Sequence, residues 1–105
     1  MIIVVKPCQR ELQLLPADVR ADLADALARL DVGLRLSMPL ARPMPTIGPG
    51  AHELRLKERS GQYRVIYAVI EREVIYVLHA FKKTTEATSK RNIELAQRRL
   101  KEVRP

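Results

Sequence analysis

The 105-residue sequence is poor in cysteine, histidine and aromatic residues: it has one cysteine, two histidines and no tryptophan, and its aromatic content is 4%. The single cysteine excludes an internal disulfide and a cysteine-based metal site, and the two distant histidines, His52 and His79, lack metal-ligand spacing. We therefore expect no metal, no cofactor and a reducing compartment such as the cytoplasm. The scarcity of aromatics argues against the stacking platforms of ordinary single-strand RNA binders.

Long hydrophobic runs are also missing from the chain. The longest are "MIIVV" and "VIYVLHAF", whereas a membrane helix needs about 20 apolar residues. No charged leader precedes a cleavable apolar segment. A chain of this length with 47% hydrophobic residues suits one modest core. We expect one soluble, unexported domain over residues 1–105, cytoplasmic and with no membrane partner.

Positive charge is what the sequence has in excess. Nineteen Lys and Arg against twelve Asp and Glu give a net charge of +7 and a pI near 10.1. Residues 1–50 carry a net charge of +1 and residues 51–105 carry +6. A polyanionic or acidic partner is favoured, although a solvated basic surface explains the charge alone equally well.

Hydrophobic spacing predicts helices at both ends of the chain and strands between them. "MIIVV" is typical of a strand and "CQRELQLL" of a short helix. Apolar residues every three or four positions over 19–34, after Pro16, predict an amphipathic helix with proline at its first turn. The proline-rich segment 38–50 is expected to be irregular, and 89–103 to form a basic amphipathic helix.

The stretch "HELRLKERSGQYRVIYAV" predicts two strands joined at its Ser-Gly step. A symmetric turn there places Lys57 opposite Arg64, and period-two alternation then gathers Arg55, Lys57 and Arg64 on one face of the sheet. Like charges opposite one another destabilise a sheet. We therefore expect either an anionic ligand on this face or neutralisation by Glu53 or Glu58.

The apolar stretch "VIYVLHAFKK" predicts a third strand in the centre of the sheet. A four-residue loop at 70–73 puts His79 opposite Arg64 and Lys83 on the same face, whereas a three-residue loop brings Lys82 there instead. A lone histidine in an apolar strand is usually a satisfied core residue. Beside Arg64 it becomes a candidate base, because nearby positive charge keeps an imidazole neutral.

Four spaced motifs recur in one order over residues 51–103. They are Glu53-Leu54-Arg55, Tyr63-Arg64-x-x-Tyr67, Leu78-His79-x-Phe81-Lys82-Lys83, and the helical set Ile93, Ala96 and Arg99. This order resembles the RelE/ParE toxin superfamily, especially its phage-derived, HigB-like branch. The resemblance implies a small α+β domain with an N-terminal strand and helices, an antiparallel β-sheet and a C-terminal helix.

The resemblance also implies a function and a set of site residues. It implies a bacterial type II toxin that is a ribosome-dependent mRNA endonuclease, held inactive by an antitoxin protein. The RelE-like active site falls on Arg55, Lys57, Arg64 and Lys83. Lys83 stands where RelE has arginine, and no tyrosine follows Tyr76. The role of the RelE C-terminal tyrosine is therefore vacant, and either a histidine of this chain or the ribosome would supply the proton transfer.

Metal-free RNA cleavage gives each candidate residue a role. The ribose 2′-hydroxyl attacks the adjacent phosphate, and fixed cations stabilise the charge that builds on the nonbridging oxygens. Arg55, Arg64 and Lys83 are expected to hold phosphate, because arginine offers a charged fork that fits it, and Lys82 is a further phosphate-binding candidate. Lys57 and His79 are alternative general bases or acids.

The resemblance also implies protein and RNA partners. We expect a cognate antitoxin, encoded by the neighbouring gene and carrying a helix-turn-helix domain, together with the ribosome and mRNA. A ParE-like inhibitor of DNA gyrase and a noncatalytic nucleic-acid-binding module remain alternatives. The N-terminal helices are expected on one sheet face, the catalytic groove on the other and the C-terminal helix at the edge, with Lys57 and Arg64 exposed and contributing little to folding.

Overall fold

The computed structural model describes residues 1–71 and 74–104. Along the chain the described residues form β1 (Ile2–Val4), α1 (Lys6–Gln13), α2 (Ala17–Asp31), β2 (Ala41–Pro43), β3 (Ala51–Glu58), β4 (Gly61–Glu71), β5 (Val74–Lys83) and α3 (Lys90–Val103). The predicted α+β class is confirmed. In this part of the chain, no helix has the length and hydrophobicity to span a membrane.

The five strands form one sheet in the order β1-β5-β4-β3-β2. β1 runs parallel to β5, and the other neighbouring strands are antiparallel. β5 has a neighbour on each side, as its apolar sequence predicts. The prediction that 38–50 is wholly irregular is wrong, because β2 lies within it. Pro43 is tolerated there because β2 is an edge strand, where a missing amide leaves no ladder bond broken.

Each face of the sheet has its own apolar cluster. One lies beneath α1 and α2 and includes Cys8, Val19, Leu23, Leu54, Val65 and Val77. The other lies beneath α3 and includes Ile66, Leu78, Ala96 and Leu100. The expected position of α3 at the sheet edge is wrong: the helix packs on β5, across part of the face predicted to hold the groove. The apolar stripe of α3 stabilises this position because it packs on the middle of the sheet.

The β3–β4 turn falls one residue earlier than predicted. Glu58 pairs with Gly61, so Arg59 and Ser60 form the turn, and the Glu58 carboxylate accepts a hydrogen bond from the Ser60 amide at 2.5 Å. Lys57 therefore lies opposite Gln62 and not Arg64. Because the shift moves each partner by two residues, the side chains keep their predicted faces.

The β4–β5 register also differs from the prediction. Ile70 and Glu71 belong to β4 and not to the predicted loop, while the remaining positions of that loop, 72 and 73, lie outside the described residues. The longer strand, with register shifts along the ladder, places His79 opposite Ile66. The prediction that His79 lies opposite Arg64 is therefore wrong.

Candidate active site at the basic end of the sheet

A groove with a volume of about 400 Å³ lies beside the β3–β4 turn. It is lined by Pro39, Leu40, Arg55, Leu56, Lys57, Gln62 and Arg64. β3 and β4 supply all of its polar side chains, and the segment before β2 supplies an apolar wall. Three of the lining side chains are cations, as the sequence predicts for this face.

Strand pairing arranges the α3-side face of the sheet into three cross-strand rows. From the turn inwards they are Lys57, Gln62 and Lys83; then Arg55, Arg64 and Phe81; then Glu53, Ile66 and His79. We call the four cations of the first two rows, Arg55, Lys57, Arg64 and Lys83, the hairpin cluster. The predicted grouping of these cations on one face is thus what the register produces.

Burial differs sharply within the hairpin cluster. Lys57 is exposed, Arg55 and Lys83 are half-buried, and Arg64 is only 2% exposed. The expectation that Arg64 is an exposed cation is therefore wrong. The physical reason is its position on the central strand, one row further from the turn than Lys57.

The guanidinium of Arg64 is incompletely hydrogen-bonded. Its Nη1 donates to the Tyr63 carbonyl at 3.1 Å, and its Nη2 donates to Gln62 Oε1 at 3.0 Å. Within the described ranges, its buried Nε has no hydrogen-bond partner. The Nε lies 3.5 Å from Glu53 Oε1, an ion-pair distance without hydrogen-bond geometry.

Electrostatics around Arg64 work against its charge. Burial, followed by repulsion from Arg55 and Arg42, lowers the pKa of Arg64, while the Glu53 carboxylate opposes that change. Arginine nevertheless keeps its proton in proteins. Arg64 is therefore a fixed cation at the groove, and its buried positive charge is only partly compensated by the protein. Such a charge favours the binding of an anion.

Lys82 points away from the hairpin cluster. It pairs with Tyr63 and so faces the α2 side of the sheet, where it lies near the Glu58 carboxylate. Of the two lysines that end β5, the structure therefore brings Lys83, and not Lys82, to the face that carries Arg64. Phosphate binding by Lys82 has no support from this placement.

His79 lies in a different set of contacts from the one predicted. It is 4% exposed; its Nδ1 is 2.9 Å from Glu11 Oε1, and its Nε2 is 2.7 Å from Asn92 Oδ1. Arg99 donates to the same Glu11 oxygen at 2.8 Å and to the Leu78 carbonyl at 2.9 Å. We call Glu11, His79, Asn92 and Arg99 the His79 polar cluster; it joins α1, β5 and α3.

The carboxylate of Glu11 is the centre of the His79 polar cluster. Burial alone would raise its pKa, but hydrogen bonds from His79, Arg99 and the Ala80 amide outweigh burial and lower it to about 2. Sequence reasoning missed Glu11 because nothing in its helical spacing marks it. It also missed the burial of Glu53, although period-two alternation already puts that carboxylate on the face of Arg55.

Solved structures of known proteins have the same fold. A chain of the intact RelBE toxin–antitoxin complex of E. coli is 24% identical, with a TM-score of 0.59 over 81% of this chain and 98% of the relative. The E. coli RelE toxin carrying two arginine-to-alanine changes, in the free state, is 22% identical, with a TM-score of 0.61 over 98% and 96%. The isolated E. coli RelE toxin is 25% identical, with a TM-score of 0.58 over 93% and 96%.

These likenesses define the fold as that of the RelE toxins. Residues 10–101 match the family of phage-derived Gp49-like proteins, and the chain belongs to that family. Both findings confirm the resemblance to the RelE/ParE toxin superfamily. No curated protein matches the chain significantly in sequence.

Proposed function

We propose that this protein is the toxin of a type II toxin–antitoxin pair, of the HigB-like kind, and that it cuts mRNA on the ribosome in the cytoplasm. The RelE fold and the Gp49-like family support the toxin class. One observation carries the nuclease: Arg64, buried and incompletely hydrogen-bonded, lines an open groove together with Arg55 and Lys57. Such a groove suits a phosphodiester whose charge grows during reaction.

The proposed reaction needs one proton acceptor and several fixed cations. Lys57 acts as the general base: its amine accepts the proton of the ribose 2′-hydroxyl, whose oxygen attacks the adjacent phosphorus. The bond to the 5′-oxygen breaks, water protonates that oxygen, and a 2′,3′-cyclic phosphate and a 5′-hydroxyl result. Arg55 and Arg64 stabilise the nonbridging oxygens, and Lys83 holds a neighbouring phosphate.

His79 has no part in this proposed reaction. Both of its ring nitrogens lie within hydrogen-bonding distance of internal acceptor oxygens, one row away from Arg64 on the sheet. A proton carrier must reach the substrate directly or through one water. The exposed Lys57 meets that condition better, although Gln62 and not Arg64 is its cross-strand neighbour.

The lining of the groove supports a dependence on the ribosome. Of the described side chains that form it, none is aromatic, so the bases of a free RNA strand have no stacking surface there. The hairpin cluster binds phosphate and sugar but does not read bases. We therefore propose that the ribosome holds the mRNA codon in place while this protein supplies the cations and the base.

The proposed partner is a cognate antitoxin. One structural relative belongs to a toxin–antitoxin complex, and a protein of net charge +7 favours an acidic partner. We propose that the antitoxin carries a helix-turn-helix domain and is encoded by the neighbouring gene. It would inhibit either by filling the groove or by making the toxin too bulky for the ribosome.

Primer extension on mRNA from purified translating ribosomes tests the proposal. We expect wild-type protein to produce cuts within codons, Lys57→Ala to lower the rate about 100-fold, and the matched control Lys6→Ala to cut normally. Lys6 is an exposed lysine on α1, outside the hairpin cluster. Inhibition of gyrase supercoiling without cuts would favour the ParE-like alternative, and RNA binding without either effect would favour the noncatalytic module.

A further inference from the structure

Glu53 is a buried carboxylate that the proposed reaction does not use. It is 2% exposed and does not line the groove, yet it contacts three different parts of the chain. Its Oε1 lies 3.5 Å from Arg64 Nε and 3.8 Å from Arg42 Nη2, and its Oε2 accepts a hydrogen bond from the Thr88 hydroxyl. A buried carboxylate is costly unless such partners compensate it.

The position of Arg64 depends on this carboxylate. Arg42 and Arg55 both repel the Arg64 guanidinium, and Glu53 is the group that attracts it. The other two contacts of Arg64 are with the Tyr63 carbonyl and the exposed Gln62. Without the negative charge of Glu53, Coulomb repulsion would drive the guanidinium away from its neighbours and towards solvent.

Thr88 extends the influence of Glu53 to the start of α3. Thr88 precedes Ser89, the residue whose side chain caps the helix by accepting from the Asn92 amide. Its hydroxyl ties the segment between β5 and α3 to the carboxylate beneath Arg64. One buried side chain thus joins β2, β3, β4 and the approach to α3 at the side of the groove.

We propose that Glu53 is a positioning residue, which holds the Arg64 guanidinium in the orientation that the phosphate meets during cleavage. This inference rests on the proposed function. It assigns a role to Glu53, the glutamate of the Glu53-Leu54-Arg55 motif, which takes no direct part in the proposed reaction. A displacement of about 1 Å of a group that acts on the reacting atoms lowers the rate by about 100-fold. Loss of the contact between Glu53 and Arg64 is therefore expected to slow mainly the chemical step.

The decisive variant is Glu53→Gln, with Glu94→Gln as the matched control on the exposed face of α3. We expect Glu53→Gln to lower single-turnover cleavage on saturating ribosomes about 100-fold, with the ribosome concentration at half-maximal rate changed less than about threefold. In an Arg64→Ala background the same change should add no further loss. Equal losses in both backgrounds, or an unchanged rate, would overturn the proposal.

Two further measurements separate positioning from folding and from the proposed function. Thr88→Val removes one hydroxyl and leaves the carboxylate, and we expect it to fold and to lower cleavage about fivefold; wild-type cleavage by this variant would count against the proposal. The exchange of the Arg64 Nε proton, followed by NMR, should accelerate about tenfold in Glu53→Gln. This readout needs no activity, so unchanged exchange refutes positioning even if the protein proves not to be a nuclease.

Discussion

Arg64 is buried and Arg99 is partly buried; both lie on the same side of the sheet, but their surroundings differ. Arg99 donates to Glu11 at 2.8 Å and to the Leu78 carbonyl at 2.9 Å. Arg64 has its carboxylate at 3.5 Å, and its Nε lacks a hydrogen bond to any described residue. A cation that donates short hydrogen bonds to a carboxylate and a carbonyl inside the protein stabilises the fold. A cation with an unpaired donor beside a groove retains capacity for an external anion.

The strongest way to test this contrast is to remove Arg99. Arg99→Ala leaves the partly buried Glu11 carboxylate short of a partner, and we expect the free energy of unfolding to fall by about 2 to 3 kcal/mol. Urea unfolding measures it, with the exposed neighbour variant Arg98→Ala changing by less than about 0.5 kcal/mol. If Arg99→Ala abolished cleavage at unchanged stability, Arg99 would belong to the active site and the contrast would fail.

Acid should weaken the His79 polar cluster through its carboxylate, Glu11. The folded-state pKa of Glu11 is lowered from 4.5 to about 2, so its contribution to stability is complete above pH 4.5 and is lost as pH falls towards 2. We expect the melting temperature to drop more steeply between these values in the wild type than in Glu11→Gln. Parallel profiles for the two proteins would show that Glu11 is not the titrating group.

Removing Arg64 should separate activity from stability. Arg64→Ala takes one cation from the buried Glu53, so we expect a loss of about 1 to 2 kcal/mol in unfolding free energy together with about a 1000-fold loss of cleavage rate. Arg64→Lys keeps the positive charge but lacks the planar guanidinium, and its cleavage rate should lie between those of the wild type and Arg64→Ala. Cleavage by Arg64→Ala at near wild-type rate would show that the hairpin cluster acts without Arg64.

The smallest effect is expected at Lys83, with its neighbour Lys82 as the matched control. Lys83→Ala should leave stability within about 0.5 kcal/mol and reduce the salt dependence of ribosome association by about one unit of log–log slope. Lys82 faces the other side of the sheet, and Lys82→Ala should leave that slope unchanged. Sedimentation with ribosomes at a series of salt concentrations measures this slope. Equal slopes for Lys83→Ala and Lys82→Ala would show that the two faces of the sheet contribute alike to ribosome binding.

Sequence patterns predicted the parts of this molecule that depend on short-range periodicity. The bounds of β5, the helix over Lys90–Val103 and the shared face of Arg55, Lys57 and Arg64 follow from alternation and helical spacing. A register error of two residues leaves alternation intact, which is why the face was right while the pairs were wrong. These features reflect local geometry and need no knowledge of distant contacts.

Features that depend on tertiary contacts were not predictable in the same way. The register shift between Ile66 and Tyr67 places His79 against α1 and α3, and no local pattern announces it. The burial of Arg64 depends on sheet order and on the apolar wall from the segment before β2. The sequence pattern predicted His79 as a candidate base beside Arg64, whereas its ring contacts Glu11, which lies 68 positions away.

The parallel pairing of β1 with β5 has a consequence for how the protein matures. Ile2 pairs with Ile75 and Val4 with Val77, so β1 gains this sheet neighbour only after the helices and strands between them have been synthesised. Strands that are far apart in sequence pair slowly, because the entropy cost of closing the long loop between them comes before the stabilising contacts form. A ribosome in the middle of making this protein thus carries a chain whose sheet is still open. On the proposed function, the polypeptide would be harmless to the ribosome that produces it until β5 has been synthesised and has paired.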